Sequence, residues 1–255
     1  MTVLWDPAQY GRFSAQRGRP FFDLVAQVGA TAPATVVDLG CGPGDLTLTL
    51  ARRWPRATVR GLDASREMIQ EAPAGTPVTF SVAVAEEFDA AGVDVLVSNA
   101  TLQWVPDHRR LLPGWARQLN RDGWLAFQVP SNFDAPSHRL MRELAGSPRW
   151  RERLGGVLRG AEAVDTPAGY LDLLAREGLA VDAWQTEYQH LLQGPDPVLE
   201  WMRGTGLRPV LAVLEEDEAA EFSAEYAALL RAAYPARPYG TVFGFLRTFV
   251  VAHKR

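Results

Sequence analysis

Short apolar runs rich in Val and Leu punctuate the first half of the chain. They read ATVVDLG at 34–40, ATVRGLD at 57–63, VTFSVAV at 78–84, VDVLVSNA at 93–100 and WLAFQVP at 124–130. Continuous apolar runs, as opposed to strict alternation, predict strands buried on both faces. Between them lie stretches with apolar residues at helical spacing: Leu46 to Trp54, Arg66 to Ala72 and Arg109 to Asn120. Phe13 to Val28 has the same spacing, with Gly29 as its stop signal. Strand alternating with helix predicts a doubly wound parallel sheet.

After Pro130 the rhythm loosens. APSHRLMRELAG at 135–146 predicts a helix, and TPAGYLDLLAREG at 166–178 predicts another, with Thr166 as N-cap, Pro167 at its first position and Gly178 as terminator. VDAWQTEYQHLL at 181–192 alternates like a strand, Pro195 to Tyr234 reads as a helical insert, and GTVFGFLRTFVVAH at 240–253 forms a last strand. The expectation is one domain over residues 1–255, with residues 131–165 and 195–238 forming a small helical cap over the sheet's C-terminal edge, where doubly wound folds bind ligands.

Composition narrows the partners. The 255 residues carry a formal charge of -4 and only one lysine, Lys254. That balance disfavours nucleic acid, which needs clustered cations. Nearly every cation is therefore an arginine, either a coding bias or a set of bidentate anion ligands. The lone Cys41 excludes an intrachain disulfide and a multi-cysteine zinc site. No signal peptide is evident, and no apolar run approaches the ~18 residues that span a bilayer. The expected protein is soluble and cytoplasmic, without a membrane or nucleic-acid partner, and a monomer satisfies this reading.

The first strand ends in G-x-G-x-G: Gly40, Gly42 and Gly44. Glycines there let the backbone approach a ligand and adopt positive φ. Asp45 stands where a dinucleotide fingerprint has its third glycine, and suits a ligand with a cationic portion better than a pyrophosphate. Asp63, at the end of the second strand, is placed to accept from both ribose hydroxyls. Met68 follows, either a thioether against an adenine face or helix core. Adenosine without a pyrophosphate preference points to S-adenosylmethionine (SAM).

With these residues in view, VVDLGCGPGDLT and GLDAS resemble the first cofactor motifs of the class I SAM-dependent methyltransferases. Five segments outside those motifs resemble one branch, the trans-aconitate 2-methyltransferases, nearly end to end. They are WDPAQYGRFSAQRGRP, VSNATLQWVPDH, QVPSNFDAPSHRLMREL, VDAWQTEYQHLL and TGLRPVL. The resemblance implies a Rossmann-like, mostly parallel seven-stranded sheet whose last strand is antiparallel. It implies that Asp38, Gly40, Cys41 and Gly42 line the methionine end of the cofactor, that Asp63 holds the ribose, and that Ala64 and Met68 flank the adenine. Asn99 would reach the methionine moiety through its backbone carbonyl, with Trp104 and His108 at the mouth of the site. One departure is Val84, where the branch commonly carries an acid that reads the adenine amine. Either Glu86 reaches in or backbone groups near Ala85 serve alone, unless Glu86 and Glu87 are simply solvated.

The implied reaction moves a methyl group from SAM to a carboxylate of trans-aconitate. A carboxylate is already ionised near neutral pH and needs no general base. It needs alignment, loss of water and neutralisation of its other charges. No catalytic dyad or metal-ligand spacing is therefore expected; the product cofactor is S-adenosylhomocysteine. Candidate donors to the acid are Tyr10, Arg17, Arg19, His138, Arg142, Tyr188, Arg208 and Arg247, with Trp104 as an aromatic wall of the pocket. Arg19 alternatively holds the cofactor carboxylate. Arg247 is the most informative, because its strand is otherwise apolar and a charge there must be paired or face a cavity. The rival readings are a SAM methyltransferase of another small acid or natural-product precursor, a non-catalytic SAM-binding protein, and a nicotinamide oxidoreductase on the same fold.

Overall fold

The computed structural model describes residues 14–255, with side chains from Gly18 onward. Five parallel strands form where the apolar runs predict them: β1 (Thr35–Leu39), β2 (Thr58–Asp63), β3 (Val78–Val82), β4 (Val95–Asn99) and β5 (Trp124–Pro130). Burial on both faces holds for β1, β4 and β5, whereas β3, at the edge of the sheet, is largely exposed and β2 beside it partly so. Two longer strands follow, β6 (Leu179–Leu192) and β7 (Thr241–Lys254). All seven make one sheet in the order β3-β2-β1-β4-β5-β7-β6, and β7 runs antiparallel to β5. The chain's last strand thus lies inside the sheet. That explains why its second half, Arg247 to Ala252, is buried without a break while its first half alternates.

The strand order reverses between β1 and β4, so the loops at their C-terminal ends diverge and open a crevice. Two polar ties hold this junction. Ser98 Oγ donates to the Leu39 carbonyl at 2.8 Å across β1 and β4. At the strands' other ends, Asp94 accepts from the Ala34 and Thr35 amides and from Asn120 Nδ2.

The helices are α1 (Ser14–Ala26), α2 (Thr47–Arg53), α3 (Arg66–Glu71), α4 (His108–Gln118), α5 (Pro136–Ala145), α6 (Arg151–Leu154), α7 (Pro167–Ala175), α8 (Pro197–Arg203), α9 (Arg208–Leu211) and α10 (Glu216–Ala233). Their ends follow the capping rules. Thr166 accepts from the Gly169 amide at 3.1 Å, Pro167 opens α7, and Gly178 takes φ +83° behind it. Glu215 and Glu218 form a reciprocal capping box on α10, whose first turn carries three acids. The predicted insert at 195–234 resolves into three helices.

The described residues fall into two compact units. One holds residues 14–130, 163–186 and 247–255, with a core of Val37, Leu96, Trp115, Phe127, Tyr170 and Val250 among others. Tyr170 meets Phe127 edge-on at 5.0 Å, an arrangement worth ~0.5–1.5 kcal/mol beyond area burial. The other unit holds residues 131–162 and 187–246, cored by Met141, Trp150, Trp201, Phe222, Tyr226 and Phe243. Among the described residues the chain passes from one unit to the other after Pro130, after Glu162, inside β6 after Thr186 and inside β7 after Leu246. No described helix is long and apolar enough to cross a membrane.

Candidate functional site

Gly40, Gly42 and Gly44 all take positive φ, at 83°, 56° and 86°. At Gly40 a Cβ would overlap Thr101, and at Gly44 one would overlap the Phe80 ring. Those two glycines are required by packing as well as by φ. Gly42 differs: a Cβ there would meet no described residue within 4 Å. Among the described residues its backbone is uncovered, which is the condition for a ligand to lie against it.

Two carboxylates frame this turn. Asp63 is occupied with shaping it, accepting from the Gly42 amide at 2.8 Å and the Ser65 amide at 2.9 Å. Burial raises its pKa, and those amides oppose the shift. Asp38 is 2% exposed. Its Oδ2 accepts from Thr47 Oγ1 at 2.6 Å, and its Oδ1 has no partner among the described residues. Burial pushes the Asp38 carboxyl up to about 7, with Thr47 opposing and the Asp63 charge adding. Burial and both acids also push the Cys41 thiol well above its usual range, so it stays a neutral thiol lining the turn.

Strand register gathers the polar side chains. Asp38 pairs with Gly61 on one side and Val97 on the other. Asn99 lies two residues beyond Val97 and pairs with Gln128; Arg247 pairs with Pro130, two residues beyond Gln128. Side chains alternate with period two, so Asp38, Asp63, Asn99, Gln128 and Arg247 share one face of the sheet near the strands' C-terminal ends. Arg247 is 4% exposed and donates from Nη1 to Gln128 Oε1 at 3.0 Å. Gln128, fully buried, donates from Nε2 to Asn99 Oδ1 at 2.7 Å. The buried charge foreseen in the last strand is therefore paired with a buried amide. Gln128 was missed as a site residue, although a glutamine inside WLAFQVP is the signal that marks it.

On the β2–β3 side, Ala64 is exposed, whereas Met68 is 3% exposed and leaves little thioether surface for a base. Ala85 is buried at the start of a short turn, with Glu86 exposed beside it. Val84, just before it, is an apolar side chain left 36% exposed. Trp104 ends a helical turn at 102–104 and is partly buried. His108 corrects an expectation. It is 3% exposed and its Nε2 pairs with the Tyr170 hydroxyl at 2.8 Å, so it belongs to the core and not to the mouth of the site. An imidazole opening a helix packed on Tyr170 finds its partner inward.

Arg19 is exposed and pairs with Asp23 one helical turn on, at 3.7 Å. Four expected donors belong to the second unit. His138 and Arg142 stand one turn apart on α5, where burial and the Arg142 charge push the imidazole down to about 4, keeping it neutral. Arg142 donates to the Phe133 carbonyl at 2.6 Å. Tyr188 is 4% exposed and stacks on His190, and Arg208 opens α9. Tyr10 and the Arg17 side chain lie outside the described residues.

Residues 37–127 match the family described as the methyltransferase domain. Over 98% of its length the chain is 54% identical to a trans-aconitate 2-methyltransferase of Streptomyces avermitilis, covering 97% of that protein. It is 50% identical to one of Rhodococcus jostii, covering 98% of this chain and 99% of the other. Among solved structures, the YcgJ protein of Bacillus subtilis shares the fold with a TM-score of 0.60 at 16% identity, covering 94% of this chain and 99% of that one.

Proposed function

We propose a carboxyl methyl transfer from one premise: this chain belongs to the trans-aconitate 2-methyltransferase family. The chain moves a methyl group from SAM to a carboxylate of trans-aconitate, releasing a monomethyl ester and S-adenosylhomocysteine. The observation that carries this reading is the reach of the identity. It extends over 98% of the chain, far beyond the 37–127 segment common to methyltransferases at large.

The residues at the glycine turn fit the cofactor. Asp38 Oδ1 is a buried acceptor with no described partner, suited to a cationic group. Gly42 leaves space where any other residue would project a side chain. Gly40, Cys41 and Asp38 would line the methionine end, with the Asn99 carbonyl. Asp63 keeps lone-pair capacity for a ribose hydroxyl beyond the Gly42, Ser65 and Ala64 amides that bond to it. Ala64, Val84 and Ala85 would border the base, and exposed Glu86 would reach its amine. The bound cofactor supplies an electrophilic methyl group on a sulfonium.

The chain's part in the reaction is placement and charge. The acid arrives ionised, so no residue removes a proton from it. Neutral Cys41 and neutral His138 are consistent with that. Alignment in a water-poor site supplies ~7–11 kcal/mol of the barrier reduction. Arg247 contributes buried positive charge on the sheet face that carries Asp38 and Asn99. His138, Arg142, Tyr188 and Arg208 are proposed donors to the acid, with Arg19, Arg17 and Tyr10, and Trp104 is a proposed wall of its pocket. The protein acts as a cytoplasmic monomer on a small acid, without nucleic acid. Labelled SAM tests the reading: label must move to a base-labile ester of trans-aconitate, and retention of all label in SAM overturns it.

A further inference from the structure

The Arg247–Gln128–Asn99 chain has a direction. A guanidinium only donates, so the group it meets at 3.0 Å must be the Gln128 carbonyl oxygen. That fixes the Gln128 amide, whose Nε2 then points to Asn99 at 2.7 Å. An amide nitrogen only donates in turn, so Asn99 answers with Oδ1. The Asn99 amide is thereby locked with its Nδ2 hydrogens turned away from Gln128. No described residue accepts from Nδ2. The first two members are buried, at 4% and 0% exposure, and Asn99 is partly exposed. Linked hydrogen bonds polarise one another in such surroundings, so a cation at one end strengthens the donor at the other.

The backbone beside Asn99 is also set. Ala100 adopts φ 54°, a left-handed conformation that costs a non-glycine residue ~1–2 kcal/mol. It is held there on both sides: its amide donates to the Gln128 carbonyl at 3.0 Å, and its own carbonyl accepts from Gln103 Nε2 at 2.6 Å. Strain held by such bonds clusters where geometry serves a ligand.

We propose that the Asn99 side-chain amide donates to a carboxylate of the acid substrate, and that Gln128 is the positioning residue that holds it in the donating sense on behalf of Arg247. This rests on the carboxyl methyl transfer reading. The relay reads the acceptor's chemistry: it favours a carboxylate and disfavours a donor such as an amine or a protonated acid.

Steady-state kinetics on trans-aconitate, with SAM affinity by calorimetry and thermal unfolding alongside, test the relay in five proteins. Gln128→Glu keeps the contact with Arg247 but offers Asn99 only an acceptor, so the Asn99 amide turns over and presents its oxygen. A hydrogen bond to a charged group is lost, and KM for the acid rises about tenfold or more. SAM affinity stays within about twofold of wild type, below the smallest such loss. Gln128→Leu breaks the relay without reversing it. It takes one hydrogen-bond partner from a buried arginine and lowers the unfolding temperature more than Gln128→Glu does, yet raises KM less. A merely structural role for Gln128 predicts the opposite order, with KM following stability, and that result overturns the proposal. Asn99→Ala raises KM by the same factor as Gln128→Glu. Combining the two adds little. A full further rise in the double variant marks a general charge effect and also overturns the relay. A wild type that transfers no label sinks the carboxyl transfer reading and the relay with it, whereas an active wild type with unchanged KM in Gln128→Glu sinks the relay alone.

Discussion

Asp38→Asn should make the ligand-free protein more stable at pH 8 while crippling its cofactor site. Asp38 is 2% exposed, and burial lifts its carboxyl from 3.8 to about 7. The raised value means that between about pH 4 and 7 the folded state holds a proton the unfolded state has lost. Stability from this group is complete below about pH 4 and is lost as pH rises through about 7. At 1.36 kcal/mol per tenfold, charging Asp38 costs the fold ~4 kcal/mol by pH 8. Asparagine removes that cost. Its oxygen still accepts from Thr47, but its nitrogen lies where Oδ1 has no described partner, a penalty of ~1–3 kcal/mol for an unmade hydrogen bond. The variant should gain ~1–3 kcal/mol over wild type at pH 8 and lose by a similar margin at pH 4, where Asp38 is already neutral. Denaturant unfolding at both pH values reads this crossover. Calorimetry should show SAM affinity falling ~100-fold or more, the cost of removing a buried charge partner. A variant less stable than wild type at both pH values, or one that binds SAM normally, refutes the reasoning.

Four further outcomes are expected. SAM binding to wild type should take up the deprotonated form of Asp38, so its affinity should rise as pH passes through about 7 and its enthalpy near that pH should depend on the buffer; a flat profile contradicts the assigned partner. Gly40→Ala must shift Thr101 and hold φ 83°, so it should destabilise by at least ~1–2 kcal/mol, read by denaturant unfolding. Tyr170→Phe removes the hydroxyl that pairs with His108 and accepts from the Asp165 amide, and should cost ~1–3 kcal/mol of stability while KM for SAM and acid stays near wild type. Breaking the exposed Arg19–Asp23 pair through Asp23→Asn should change stability by no more than ~0.5 kcal/mol.

Much of the architecture was written in the residues because strands buried on both faces must be apolar throughout. Runs such as VDVLVSNA and WLAFQVP declare themselves for that reason, and the capping chemistry of Thr166, Pro167 and Gly178 places α7 almost to the residue. The cofactor turn was legible through its glycines, since φ and close approach leave few alternatives at Gly40 and Gly44. What escaped was pairing across the sheet. Nothing local to Gln128 or Asn99 says that strand order brings them beside Arg247; that needs the register of β4, β5 and β7 together. His108 misled for a related reason. A histidine after a site motif looks available, and only the packing of Tyr170 shows it turned inward. Met68 likewise takes the core alternative, at 3% exposure.

The most direct measurement of the central claim is kcat/KM for methyl transfer from SAM to trans-aconitate, cis-aconitate, citrate and isocitrate under identical conditions, with the ester identified by mass spectrometry. Monomethyl ester formed from trans-aconitate in strong preference to the other three, with one S-adenosylhomocysteine per ester, is the predicted result. Equal rates across the four acids, or SAM bound without transfer to any of them, would contradict it.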